Sequence, residues 1–140
     1  MTFSNECLIR FSHCDPAGIV YFVHYFDMVN EVVEDWFAQA LHAPFQDLVM
    51  TRRVGFPIVN TGCEFYRPCN LGDRLVMELS LAHLGRSSIE YRIRGRVGDD
   101  QKLQAHHKVA MVSLDTMRAI PIPDDLRAKM LPYLESALGG

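Results

Sequence analysis

From His24 to Leu41 apolar residues recur at helical spacing. Tyr25, Val29, Val32, Trp36 and Ala40 fall on one face, and Phe26, Met28, Val33 and Phe37 widen it. Asp27, Glu31, Glu34, Asp35 and Gln39 take the opposite face. At about 100° per residue the apolar positions cover roughly half the cylinder. A stripe that wide predicts a helix pressed into a large concave surface. Pro44 with Phe45, Leu48 and Val49 predicts a short second helix, proline being tolerated in a first turn.

After Arg52 the period changes to two. Leu75, Met77, Leu79 and Leu81 alternate with Val76, Glu78, Ser80 and Ala82, and Ile89, Tyr91, Ile93 and Val97 alternate with polar neighbours. Both segments read as strands with one buried face, joined by a hairpin at Gly85-Arg86-Ser87. Gly98-Asp99-Asp100 leads into a further strand over Leu103–Leu114, whose Val109–Val112 portion is apolar on both faces and so is expected to be covered on both. Val54–Arg67 reads as a strand bent near Gly62, Cys7–Phe11 as a first strand, and Asp124–Leu134 as a terminal helix. Short connections make consecutive strands antiparallel. The economical fold is α+β, a curved antiparallel five-stranded sheet wrapped around one long helix in a single domain, 1–140. Such a wrap leaves a sheet face and an edge bare, which predicts self-association, most simply a two-fold dimer.

Composition narrows the class without naming a chemistry. The 140 residues are 49% hydrophobic and 22% charged, an ordinary globular balance. Fourteen Lys and Arg against 17 Asp and Glu give a formal charge of −3, which speaks against a nucleic-acid partner. No apolar run approaches the ~18 residues of a transmembrane helix, so no membrane partner is expected. Met1–Phe11 lacks a basic region followed by an apolar one, so a cytoplasmic protein with reduced thiols is expected. The spacing of Cys7, Cys14, Cys63 and Cys69 matches no metal or redox motif. His106 and His107 are adjacent on a strand and point to opposite faces, so they cannot chelate together, and no metal is expected.

Candidate chemistry sits between the first strand and the long helix, in His13-Cys14-Asp15-Pro16-Ala17-Gly18-Ile19-Val20-Tyr21-Phe22. Pro16 holds Asp15 extended, Gly18 permits a tight turn, and the chain then enters a helix whose first N–H groups have no intrahelical partner. On these residues alone, Asp15 is either a turn or cap carboxylate or a reactive one placed before a helix N-terminus.

The run Asp15–Phe22, followed by Tyr25 and the amphipathic helix, resembles the acyl-CoA thioesterases of the hot-dog fold, especially the 4-hydroxybenzoyl-CoA thioesterase family. Phe56-Pro57-Ile58-Val59, Phe65 with Pro68, Gly72-Asp73 with Leu75, and Met117–Pro121 extend the resemblance over roughly the first 120 residues. It implies hydrolysis of an acyl-CoA thioester with no cofactor beyond the coenzyme A of the substrate. It also implies a homodimer paired again into a homotetramer, with active sites at the dimer interface. In that reading the backbone N–H of Phe22 polarises the thioester carbonyl, Asp15 is nucleophile or general base, and Gly18 shapes the turn. Tyr25, Asn30 and Thr61 are the substrate-binding candidates. Arg86, Ser87, Ser88 and Arg118 are the coenzyme A candidates, since arginine forks onto phosphate.

The chemistry is self-consistent. A thiol of pKa ~8.5 is a good leaving group, so no strong general acid is needed. The site must supply an attacking group and a donor for the oxyanion, which a helix N-terminus favours. Two positions depart from the family pattern. Asn30 stands where the hydroxybenzoyl enzyme has an aspartate, and Phe22 stands where a short-chain branch has a histidine. The aromatic residues at 22, 25 and 26 and Met28 point to an aromatic or other apolar acyl group, core packing being the alternative for each. Arg92, Arg94 and Arg96 form a basic row, either a phosphate platform or solvated strand surface. Competing functions are a cysteine hydrolase using Cys14 with His13 or His24, a hot-dog dehydratase on hydroxyacyl thioesters, and a non-catalytic acyl-CoA-binding module.

Overall fold

A computed structural model describes residues 1–135; residues 136–140, the end of the expected 1–140 domain, lie outside the described part. The chain runs through β1 (Phe3–Leu8), α1 (Val23–Asp35), α2 (Phe45–Met50), β2 (Val54–Gly55) and β3 (Ile58–Phe65). It continues through β4 (Arg74–Leu84), β5 (Ser88–Val97), β6 (Asp100–Ala110), β7 (Val112–Ser113) and α3 (Asp124–Met130). The main sheet has five strands in the order β1-β4-β5-β6-β3, and every pairing is antiparallel.

The helical stripe and the strand periods meet in one core. Val29, Val32, Trp36 and Phe37 are buried against Leu75, Met77, Leu79 and Leu81 of β4, Ile89, Tyr91 and Ile93 of β5, and Leu103 and Ala105 of β6. The helix does not stop at Asp35. It widens into a π-turn over Trp36–Ala40, which turns both Trp36 and Phe37 fully inward. Three aromatic rings, Phe37, Phe45 and Phe56, then close the C-terminal end of α1 at centroid separations of 5.0–5.2 Å.

Three boundaries differ from the sequence expectation. β1 lies earlier than Cys7–Phe11, because it pairs with β4 from Phe3↔Leu79 to Leu8↔Arg74 and β4 begins at Arg74. The chain then turns, with the Arg10 N–H donating to His13 Nδ1 at 2.9 Å, and Phe11 is left exposed. Val54–Arg67 is two strands, not one strand bent at Gly62. The break is at Phe56-Pro57, where proline has no N–H for the ladder. Gly62 lies inside β3 opposite His106, whose ring occupies the space a Cβ would need. The Leu103–Leu114 strand likewise breaks at Met111 into β6 and β7. Its double-sided apolar end is covered, since Val109, Met111 and Val112 are all buried, and its edge is paired by Ile120 N–H donating to the Met111 carbonyl.

Among the described residues, no helix is long and apolar enough to cross a membrane. Leu79 is fully buried at the centre of β4. Leu79→Ala should destabilise the fold by about 2–5 kcal/mol through lost burial and a residual cavity, read as a lower urea midpoint at unchanged m-value.

Candidate active site

The segment between β1 and α1 is held mainly by backbone groups. Tyr21 N–H donates to His13 carbonyl at 2.9 Å, Cys14 bridges Val20, and Asp15 N–H donates to Ile19 carbonyl at 2.9 Å. The hairpin closes through Gly18 N–H to Asp15 carbonyl at 3.0 Å, with Gly18 at φ 78°, a left-handed conformation that glycine adopts without strain. This turn is fastened to the stretch before β4: Val20 N–H donates to Cys69 carbonyl at 3.0 Å and Leu71 N–H to Gly18 carbonyl at 2.9 Å.

The half-buried Asp15 carboxylate accepts the Ala17 N–H through Oδ1 at 2.8 Å. It therefore organises its own turn instead of capping α1, and among the described residues Oδ2 has no hydrogen-bond partner. Phe22 immediately precedes α1. Among the described residues no backbone carbonyl accepts its N–H, as expected for an orphan donor at a helix start. Beside it opens a cavity of about 300 Å³ walled by Val20, Phe22, Tyr25, Phe65 and Pro68, with Tyr66 and Arg67 on its solvent side.

Tyr25 is only 4% exposed, and its ring forms part of that wall. Its hydroxyl is already engaged, accepting the buried Cys69 N–H at 3.0 Å. Burial pushes the phenol above its ordinary pKa, so it is a neutral tie between helix and loop. Met28 is buried in the core, as the packing alternative had it. Asn30 is exposed on the flank of α1, and eight residues beyond Phe22 it lies about 12 Å along the axis, outside the cavity. Thr61 sits mid-strand in β3, where its hydroxyl meets Nδ1 of the buried His107 at 3.0 Å; burial lowers that imidazole's pKa and keeps it neutral.

Arg86, Ser87, Ser88 and Arg118 cluster at the opposite end of the sheet. Ser88 pairs with Ala110, Met111 N–H donates to Ser87 carbonyl at 2.7 Å, and Ser113 N–H donates to Arg118 carbonyl at 3.0 Å. That end lies beside Pro57 and the start of β3, whereas the Phe22 cavity lies beside its last residue. An eight-residue strand separates the two by about 26 Å within one protomer. The hairpin is anchored by α3, with Arg127 Nη2 donating to Gly85 carbonyl at 2.6 Å. Among the described residues, neither Arg86 nor Arg118 is in an ion pair.

The basic row is mostly spent locally: Arg96 pairs with Glu78 at 2.6 Å and Arg92 with Glu135 at 2.7 Å. A larger hollow of about 380 Å³ lies on the outer sheet face around Arg92, His106 and Lys108. His106 is bound there to Asn60 at 2.9 Å, while His107 faces inward, so the two histidines do diverge. Cys14 donates its S–H to the Arg10 carbonyl at 3.4 Å and bonds neither His13 nor His24. Burial pushes the Cys63 thiol up to about 11, away from nucleophilic thiolate. Neither cysteine shows the histidine-paired geometry of a cysteine hydrolase.

Residues 9–130 match the model of the Thioesterase-like superfamily, and the chain belongs to that family. It is 30% identical over 125 residues to the 4-hydroxybenzoyl-CoA thioesterase of Pseudomonas sp. (strain CBS-3), covering 84% of this chain and 89% of that one. It is 27% identical over 126 residues to the 1,4-dihydroxy-2-naphthoyl-CoA hydrolase of a Synechocystis species, covering 87% and 89%. A solved thioesterase-superfamily structure from Jannaschia sp. CCS1 superposes with a TM-score of 0.89 at 25% identity, covering 96% and 94%. The fold is thus the hot-dog fold, an open five-stranded sheet around a long helix.

The tie between helix and turn is testable by removing one oxygen. Tyr25→Phe keeps the ring but leaves the Cys69 N–H buried without a partner, and should lower stability by about 1–3 kcal/mol in denaturant titration.

Proposed function

We propose that the protein is an acyl-CoA thioesterase that hydrolyses an aromatic acyl-CoA to the free acid and coenzyme A, with Asp15 and the Phe22 N–H as its reacting centre. Family membership, with relatives named as CoA thioesterases and hydrolases, makes the chain a thioester hydrolase. The observation that carries the finer reading is the unpartnered Phe22 N–H at the start of α1, beside an apolar cavity and next to the turn that presents Asp15.

The thioester oxygen accepts the Phe22 N–H, and the positive end of α1 favours the charge that develops there. Asp15 either attacks the carbonyl carbon, giving a mixed anhydride that water then opens, or takes a proton from the attacking water. In both routes the C–S bond breaks and coenzyme A leaves as thiolate. No cofactor takes part. The rings of Phe22, Tyr25 and Phe65 suit a flat aromatic acyl group.

The site is completed by a second copy. β3 is a sheet edge that carries exposed Ile58 (51%), Val59 (57%) and Phe65 (45%), an unpaired strand that invites pairing. Two β3 strands joined antiparallel bring the start of one beside the end of the other. The partner's Arg86 and the partner's Arg118 then stand near the Phe22 cavity and hold the coenzyme A phosphates. Thr61, exposed on the same β3 edge, falls at this interface.

A thiol-release assay over benzoyl-, hydroxybenzoyl-, phenylacetyl- and short aliphatic CoA thioesters tests the activity. Release is expected to be fastest with aromatic members, and coenzyme A binding without release from any would establish a binding module instead. Asp15→Asn should abolish nearly all turnover with the melting temperature unchanged, and substantial residual activity would remove Asp15 from its role. Arg86→Ala and Arg118→Ala should each raise KM for CoA thioesters, and an unchanged KM would overturn that assignment. Val59→Lys, placing a charge on the β3 edge, should shift the sedimentation coefficient from dimer to monomer and lower activity with it.

A further inference from the structure

The cavity beside Phe22 has apolar walls and one strongly basic residue. The Tyr25 and Phe65 rings pack against each other in its wall at 5.3 Å, and Phe22 meets Phe65 at 6.4 Å. The Tyr25 hydroxyl is committed to the Cys69 peptide. On the solvent side the Tyr66 hydroxyl donates to the Glu64 carboxylate at 3.3 Å. That leaves the Arg67 guanidinium as the strong donor among the lining residues.

Arg67 is only loosely neutralised. Its Nη1 lies 3.5 Å from Asp100 Oδ1, with the side chain 70% exposed. Asp100 has a closer partner in Lys102, whose Nζ is 3.0 Å from Oδ2 and whose residue is 8% exposed. Two cations therefore share one carboxylate. The surplus positive charge stands on the cavity's side, since Lys102 is covered and Arg67 lines the opening. A guanidinium keeps five N–H donors, and a long contact to Asp100 leaves most of them available.

Resting on the thioesterase reading, we propose that Arg67 is a specificity-determining residue that binds an anionic oxygen group of the substrate at the mouth of the Phe22 cavity. The group is either a carboxylate on the acyl ring or a phosphate of coenzyme A. Both present oxygens that an arginine fork takes in pairs.

Arg67 is exposed and outside the core, so Arg67→Ala should fold with an unchanged melting temperature. Wild type and variant are compared on benzoyl-CoA, 4-carboxybenzoyl-CoA and the corresponding two pantetheine thioesters, which lack the nucleotide phosphates. A fall of about tenfold or more in kcat/KM confined to the two carboxylated substrates identifies the acyl carboxylate as the ligand. An equal fall on both CoA substrates with none on either pantetheine thioester identifies the phosphate. Arg67→Lys should recover part of the loss in either case. No change on any substrate, or an equal fall that includes the uncharged benzoyl-pantetheine, overturns the proposal. If the wild type releases no thiol from any substrate, the hydrolase reading is what has failed. Calorimetric Kd values for the same ligands then decide Arg67 by the same pattern.

Discussion

The structure depends on the width of one helix's apolar face. α1 and its π-turn carry buried side chains around about half the cylinder, and a flat sheet touches only a narrow stripe of such a surface. Burying the rest requires a sheet that curves around the helix, which the antiparallel ladder from β1 to β3 provides. A sheet spent in this way has its concave face filled and its ends open. The helix N-terminus emerges at one open end, between the last residues of β3 and the loop before β4. The unpaired N–H of Phe22 and the cavity beside it are thus consequences of how the core is built.

The same curvature separates the two halves of the proposed site. The turn bearing Asp15 and the arginines at the β4–β5 hairpin occupy opposite ends of the sheet. Within one protomer they stand about 26 Å apart, and the two-fold pairing proposed along β3 would set one end beside the other. The exposed apolar residues on that edge and the division of the site thus point to the same arrangement.

Much of this was legible in the residue order, because period and composition report local preferences faithfully. The 3.6 period of His24–Leu41 and the alternation in β4 and β5 located the core faces, since burial decides both. The family resemblance, confirmed by the match over residues 9–130, carried the fold. What escaped depends on partners distant in sequence. β1 ends where β4 begins, a register that no local pattern around Ile9 announces. The ring of Tyr25 walls the cavity, but the bond of its hydroxyl to a peptide 44 residues away leaves no mark in the local sequence. Arg67 drew no notice beside Pro68, since only the fold shows how Asp100 is shared with Lys102. Pro57 did carry a readable signal for the break between β2 and β3, and Gly62 drew attention away from it.

The attachment of the Asp15 turn has one further consequence. Asp15, Gly18, Val20 and Leu71 are joined to the rest of the fold through peptide N–H and carbonyl groups, with the Tyr25 hydroxyl gripping a peptide as well. The position of the carboxylate is therefore written in main-chain geometry, which survives most side-chain replacements. Ala17 and Ile19 contribute only their peptide groups to that turn, so replacing their side chains leaves its hydrogen bonds in place. A scaffold of this kind can vary the side chains at the rim of the cavity while the Asp15 carboxylate stays where the main chain holds it.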